Sequence, residues 1–203
     1  MDLYLGDKRI ICDVSFHIEI FENVISQDMA NELLESLTQC AKWKNSFITK
    51  SGNISKRRNK SIYGSIQTYS ATFRGKNISS PVHNWDEIPI LKELADNISS
   101  ITRDQYNTCV LQYYANEEVG INPHRDKEVL PDNCITSISL GSTRIMRFER
   151  NGTRYDIPLP SGSLCVIYPP TNTYWAHSIL CEKEAKSKRI SLVFRHHPQS
   201  SSV

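Results

Sequence analysis

The sequence predicts an α+β fold in which helices back a sandwich or barrel of short strands. Two segments with helical apolar spacing, residues 27–40 and a stretch opened by Pro89, fall in the first half. From residue 107 the texture changes to short β-branched and aromatic runs with turns between them. Asn151-Gly152, set between two of those runs, is a strong hairpin signal because both residue types tolerate positive φ.

Taken in order, residues 15–21 alternate, with Phe16, Ile18 and Ile20 on one face, and read as a strand. Ser26 is placed to cap a helix over 27–40, whose Met29, Leu33, Leu34 and Leu37 form an apolar stripe. Residues 43–60 read as a basic loop, and Ile62 to Phe73 as a hairpin or paired strands around Gly64. Residues 75–87, with their Gly, Asn, Ser and Pro, read as a connection. Pro89 suits a first helical turn, and Leu91, Leu94, Ala95 and Ile98 follow as the stripe. Strands are expected at 108–115, 134–140, 144–150, 154–159, 163–168 and 189–196.

At 203 residues the chain has a one-domain length and room for a proper core. Hydrophobic residues make up 39% and charged residues 23%, with no low-complexity run, which excludes a disordered or fibrous chain. No stretch approaches the roughly 20 apolar residues that span a bilayer, so no membrane partner is expected. The N-terminus lacks the basic and apolar regions of a secretory signal. The six cysteines (12, 40, 109, 134, 165, 181) show no C-x-x-C, and Cys109 and Cys165 sit in apolar runs. A reducing, intracellular setting, cytoplasmic or nuclear rather than secreted, is therefore expected, with a monomeric chain. The net charge of +2 decides nothing, but Lys50, Lys56, Arg57, Arg58 and Lys60 crowd into eleven residues. Such a run is usually a solvated loop; its sharper reading is a phosphate-contacting loop.

The chemistry centres on His124-Arg125-Asp126. In an extended segment, side chains two apart point the same way, about 6.6 Å apart, so an imidazole and a carboxylate can share one cation. An H-x-D pair alone is weak evidence. His177 is the candidate third ligand, and two histidines with one carboxylate form the facial triad of non-haem Fe(II) oxygenases. Arg189 follows His177 by twelve residues and Arg195 by eighteen. Arg189, Ser191, Val193 and Arg195 share one strand face and Ile190, Leu192 and Phe194 the other, which fits an exposed edge strand with its arginines in solvent as well as a strand between an apolar layer and a polar cavity that holds an acidic cosubstrate. The two arginine Cα atoms would lie about 20 Å apart, so gripping one small dicarboxylate would require both to lean inward. The four-part pattern reads as an Fe(II)- and 2-oxoglutarate-dependent oxygenase.

These motifs resemble the AlkB family of Fe(II)/2-oxoglutarate dioxygenases, which repair alkylated bases, and its animal DNA- and RNA-repair members most. The resemblance runs from about Arg57 to Arg195 and rests on His124-Arg125-Asp126, on Pro170-Thr171-Asn172-Thr173 with Trp175 and His177, and on the closing Arg189 to Arg195 strand. It implies a double-stranded β-helix (jelly roll) with supporting helices and an N-terminal nucleotide-recognition lid. One domain over 1–203 follows, with an N-terminal extension to about 105 and a catalytic core over about 106–197. It implies His124, Asp126 and His177 as iron ligands, with 2-oxoglutarate and O2 as cosubstrates and ascorbate as an aid in vitro. Arg189, helped by Tyr114, would take the far carboxylate of 2-oxoglutarate, and Arg195 would lie near its metal-chelating end. Gln112 and Ser191 stand where the family usually has Asn, and Val193 where it usually has Thr. Lys127 stands where close relatives carry an acidic residue near the base. The lid, over Arg57 to Ser70, carries Tyr63 and Gln67 to Ser70. Tyr63, Gln67 and Tyr69 would grip a flipped base, Lys56, Arg57 and Arg58 would face phosphates, and Phe47 or Ile48 is a candidate wedge. Trp175 is open between a pocket wall and core packing. The implied reaction is oxidative demethylation of N-alkylated bases in DNA or RNA, such as 1-methyladenine and 3-methylcytosine. Two further readings stand beside it: the same chemistry on a protein side chain or small molecule, and an inactive nucleic-acid-binding protein.

Overall fold

The structure is a computed structural model that describes residues 3–44, 47–48, 54–55, 59–73, 76–116, 118–181 and 187–198, with 47–48, 54–55, 72–73 and 76–77 as backbone only. The chain runs β1 (Lys8–Asp13), β2 (Phe16–Phe21), α1 (Gln27–Cys40), β3 (Phe47–Ile48), β4 (Ile54–Ser55), β5 (Asn59–Gly64), β6 (Thr68–Phe73), β7 (Lys76–Pro81), β8 (His83–Asn84), a 3-10 turn and α2 (Pro89–Thr102). It continues with β9 (Thr108–Tyr114), β10 (Ile121–His124), β11 (Ile135–Gly141), β12 (Arg144–Arg150), β13 (Thr153–Leu159), β14 (Leu164–Ile167), the one-turn helix α3 (Thr171–Tyr174), β15 (Ala176–Ile179) and β16 (Arg189–Arg195).

Eight strands form a major sheet in the order β1-β2-β14-β11-β16-β9-β5-β8, and four form a minor sheet, β10-β15-β12-β13. Two apolar layers hold them together. Between the two sheets lie Phe16, Ile18, Ile20, Val110, Phe148, Ile157 and Trp175, among others. On the outer face of the major sheet, α1 and α2 bury Leu34, Leu37, Leu91 and Leu94 against Leu111, Ile138, Ile190, Leu192 and Phe194. Burying each such side chain contributes about 1.5–3 kcal/mol. The arrangement is the jelly roll with supporting helices.

Local chemistry sets the helix ends. Ser26 Oγ accepts from the Met29 N–H at 3.3 Å, and Ala30, Leu33, Leu34 and Leu37 are buried at helical spacing. Pro89 opens α2, which buries Leu91, Leu94, Ala95 and Ile98 and stops where Arg103 turns left-handed at φ 61°. The β12–β13 turn is made by Asn151 and Gly152, with φ of 48° and 83°.

β16 lies in mid-sheet and all seven of its residues are buried. Its alternation is that of a strand between two layers: Ile190, Leu192 and Phe194 face the helices, and Arg189, Ser191, Val193 and Arg195 face the minor sheet.

Some expectations need correction: β10 and β15 lie outside the expected strands, and the two-residue strands β3 and β4 fall in the expected loop over 43–60. β1 was missed because its residues are nearly all exposed at the sheet edge, leaving no buried face to make a pattern. Residues 62–73 do not form one hairpin: β5 pairs with β9 and β8 in the major sheet, while β6 pairs with β7. Residues 75–87 are accordingly β7, β8 and a 3-10 turn rather than an irregular connection.

Candidate metal centre

His124 ends β10 and pairs directly across the ladder with His177 on β15. Their rings lie 4.4 Å apart between centroids, and the Phe148 ring is 5.9 Å from His177 on the neighbouring strand. β10 stops at His124, so Asp126 lies past the strand and the pair is not one extended segment. Asp126 is nonetheless brought in. Its Oδ1 is 3.5 Å from His124 Nε2 and its Oδ2 is 3.8 Å from His177 Nε2. One donor atom from each residue falls within 4.8 Å of the others.

The electrostatics suit a divalent cation. Burial pushes the His177 imidazole down to about 4, which leaves it neutral at pH 7 with a lone pair to give. Burial works against ionising Asp126, but Arg195 and the two imidazoles outweigh it and hold the carboxyl well below the usual range. His124 Nδ1 lies 3.0 Å from the Asn122 carbonyl, which favours the tautomer with N–H there and a bare Nε2 towards Asp126. Two imidazole nitrogens and a carboxylate are the donor set of a non-haem Fe(II) site.

Arg195 Nη2 sits 2.7 Å from Asp126 Oδ2. Its Nη1 donates to Tyr69 Oη at 2.8 Å and reaches Glu128 Oε1 at 3.3 Å, and the Tyr69 hydroxyl donates to Glu128 Oε1 at 2.8 Å. Burial pushes the Tyr69 phenol up, so it stays protonated and able to donate.

Arg189 lies at the other end of β16 and serves a different place. The ladder sets Tyr114, Arg189 and Gly141 in one cross-strand row, and Lys60, Gln112, Ser191 and Ser139 in the next polar row on the same face. Arg189 Nη2 donates to Ser139 Oγ at 3.0 Å, its guanidinium is 5.0 Å from the Tyr114 ring centroid, and Tyr114 Oη donates to Gln112 Oε1 at 3.0 Å. Arg189 is 0% exposed, yet its Nε and Nη1 have no hydrogen-bond partner among the described residues. Buried guanidinium donors left in this way fit a small carboxylate. The two arginines do not lean onto one point: Arg195 is held at Asp126 and Arg189 at the Tyr114 end.

The expected substrate residues scatter. Tyr69 joins the Arg195 and Glu128 network, with Lys60 Nζ 4.7 Å from its ring centroid. Gln67 is exposed between β5 and β6. Tyr63 as a pocket wall is corrected: successive strand residues point to opposite faces, and Tyr63 points to the helix side, where its hydroxyl accepts from the Lys42 N–H at 3.1 Å. Trp175 falls on the packing side of its two readings, 3% exposed with ring centroids 4.8 Å from Phe16 and 5.5 Å from Tyr155. Lys50, Lys56, Arg57 and Arg58, and the side chains of Phe47 and Ile48, lie outside the described residues.

Sequence reasoning gave no role to Ser139, Glu128 or Asn172. Ser139 is one of three hydroxyl residues of its strand, with Thr136 and Ser137, and nothing local singles it out; Glu128 could have been found by its H-x-D-x-E spacing. Asn172 gives no such signal, because its partner is the backbone of Asp126.

Comparison with known proteins agrees with this geometry. The family described as the 2OG-Fe(II) oxygenase superfamily matches residues 17–195. The chain is 32% identical to DNA oxidative demethylase ALKBH2 of Homo sapiens over 68% of its own length and 56% of that protein. It is 27% identical to the alpha-ketoglutarate-dependent dioxygenase alkB homolog 3 of Homo sapiens, over 87% of the chain and 64% of the relative. It thus spans between half and two thirds of these relatives. A solved structure, "The structure of OsALKBH1", superposes with a TM-score of 0.62 at 12% identity, covering 93% of this chain and all of that one, a likeness of fold.

Proposed function

The chain belongs to the 2OG-Fe(II) oxygenase superfamily, and within it to the AlkB family, and we propose that it oxidatively demethylates N-alkylated bases in DNA or RNA. One observation carries the reading: a two-histidine, one-aspartate cluster at the minor sheet, and on the inward face of the major sheet a fully buried arginine with two donors that have no hydrogen-bond partner among the described residues. His124, Asp126 and His177 hold Fe(II), and Arg189 with Tyr114 binds the far carboxylate of 2-oxoglutarate, lined by Gln112, Ser191 and Ser139. When bound, iron and cosubstrate supply O2-dependent oxidation of a C–H bond, 2-oxoglutarate being split to succinate and carbon dioxide; ascorbate would keep the iron reduced in vitro. Arg195 keeps Asp126 ionised and oriented, and the layer around Phe148 and Met146 keeps bulk water from the buried side of the centre.

A relative that carries the name DNA oxidative demethylase supports a nucleic-acid substrate. Bases such as 1-methyladenine and 3-methylcytosine would sit beside Tyr69 and Glu128, under a lid over Arg57 to Ser70 that includes Gln67. Lys56, Arg57 and Arg58 would contact phosphates. In this reading residues 1–203 are one catalytic domain that acts as a monomer. An intracellular setting, cytoplasmic or nuclear, goes with six free cysteines; no helix among the described residues is long and apolar enough to cross a membrane.

The test is a panel of methylated oligonucleotides, DNA and RNA, single- and double-stranded, incubated with Fe(II), 2-oxoglutarate and ascorbate and read by mass spectrometry. Loss of a methyl group from at least one member is expected. Inertness towards the whole panel, with turnover of a methylated peptide or metabolite, would move the substrate out of nucleic acid.

A further inference from the structure

We infer that Asn172 is a positioning residue for the metal centre, its carboxamide standing in for the neighbouring strand that Asp126 lacks. β10 ends at His124, and the ladder with β15 gives Asp126 no partner. Asn172 supplies both missing bonds. Its Oδ1 accepts from the Asp126 N–H at 3.0 Å and its Nδ2 donates to the Asp126 carbonyl at 2.8 Å. A side-chain amide carries the same donor and acceptor as a peptide group, so the two contacts reproduce the closed pair of an antiparallel ladder.

The segment that carries Asn172 is hydrogen-bonded on both sides. Thr171, its neighbour in α3, closes a similar pair with β2: its Oγ1 accepts from the His17 N–H at 2.7 Å and donates to the His17 carbonyl at 3.2 Å. On the other side the Thr173 carbonyl accepts from Arg125 Nη1 at 2.7 Å, Arg125 being the residue between two ligands. Five residues beyond Asn172 the same segment delivers His177. Residues 171–177 thus fix both distant members of the centre, one as a ligand and one through its backbone. Without the Asn172 clamp, Asp126 keeps its ion pair with Arg195 and can swing towards it, away from the imidazoles. Metal affinity then falls although no donor atom has changed.

This inference rests on the metal-centre reading, and its test separates the two. Co(II) binding to the metal-free protein is followed by visible d–d absorption for the parent, Asn172→Ala, Asn172→Asp and Thr171→Val, each checked for folding by circular dichroism. Asn172→Asp is nearly isosteric but offers no N–H to the Asp126 carbonyl, so it decides the question should Asn172→Ala fail to fold. Both Asn172 variants are expected to bind Co(II) about 10–100-fold more weakly with an altered spectrum, the usual cost of losing an outer partner of a ligand. Thr171→Val, which loosens the same helix without touching Asp126, is expected to stay within about threefold of the parent, below that range. Parent-like affinity and spectrum in the folded Asn172 variants would overturn the inference and leave the metal centre standing. An equal loss in Thr171→Val would overturn it too, by assigning the effect to the helix as a whole. A parent that binds no Co(II) would remove the metal centre itself, and the inference with it.

Discussion

Replacing Arg189 by methionine should move two measurements in opposite directions. The Arg189 side chain is fully buried, Ser139 takes one of its donors, and Nε and Nη1 have no hydrogen-bond partner among the described residues. Burial pushes its pKa down, which is the same statement as a strained buried cation. Methionine fills the stem volume without the charge. Relief of the two unsatisfied donors, less the Ser139 bond and the contact with the Tyr114 ring, should stabilise the cosubstrate-free protein by about 1–2 kcal/mol. For a chain of this size that is a rise of about 2–8 °C in Tm. The parent, in contrast, gains two charge-assisted bonds to 2-oxoglutarate, each contributing about 1.5–3 kcal/mol. Their loss predicts binding weaker by about two to four powers of ten. Thermal unfolding of the metal-free protein, and calorimetric 2-oxoglutarate binding with Mn(II) present, read the two effects separately. Arg189→Lys keeps the charge but not the planar fork, so its 2-oxoglutarate binding should fall between the two with metal binding unchanged. The reasoning fails if Arg189→Met is less stable than the parent, or if it binds 2-oxoglutarate as the parent does.

Asp126→Ala and His177→Ala should each abolish 2-oxoglutarate turnover while keeping the far-ultraviolet circular dichroism; ordinary turnover by both, with metal controlled, would remove the triad. The His177 imidazole falls from 6.5 to about 4 on folding, so the unfolded chain binds more protons between those values. Stability of the metal-free protein should therefore rise with pH across that window, by up to about 3 kcal/mol from this residue, and be lost as pH falls through it. Asp126, depressed on folding, adds a loss of the same sign below its ordinary 3.8. Denaturant melts of His177→Gln should show a flatter slope between pH 4 and 6.5, and an unchanged slope would contradict the burial argument. Neutralising Lys56, Arg57 and Arg58 together should weaken binding to every oligonucleotide and flatten its salt dependence by up to about 2–3 units of slope. An unchanged slope would leave that loop a solvated surface.

Legibility in the sequence followed the range of the interactions. The bounds of α1, and the start and apolar stripe of α2, could be read because Ser26, Pro89 and the stripes are local signals. β16 could be read as a two-faced strand from its alternation, but an exposed edge strand would alternate in the same way, and only its burial in mid-sheet decides between the two. His124, Asp126 and His177 could be picked by residue type and order, and their pairing across the ladder supplied what spacing could not. Register was the limit elsewhere. Which face Tyr63 takes depends on β5 joining the major sheet rather than pairing with β6, and no local pattern announces that. Nor could spacing say that the chain leaves β10 before Asp126, so that a side chain 46 residues later closes the ladder. Trp175 lay between two readings because an aromatic near a metal ligand looks the same whether it packs inward or lines a cavity.

The measurement that bears most directly on the central claim is the stoichiometry of a single reaction. A methylated oligonucleotide is incubated with the Fe(II)-loaded protein and limiting 2-oxoglutarate, and succinate, formaldehyde and repaired base are quantified together. The account predicts that the three rise in equal amounts, and that none is formed above background by Asp126→Ala. Succinate formed at the same rate without the oligonucleotide, with no formaldehyde released in its presence, would contradict demethylation of a nucleic-acid base as the activity of this site.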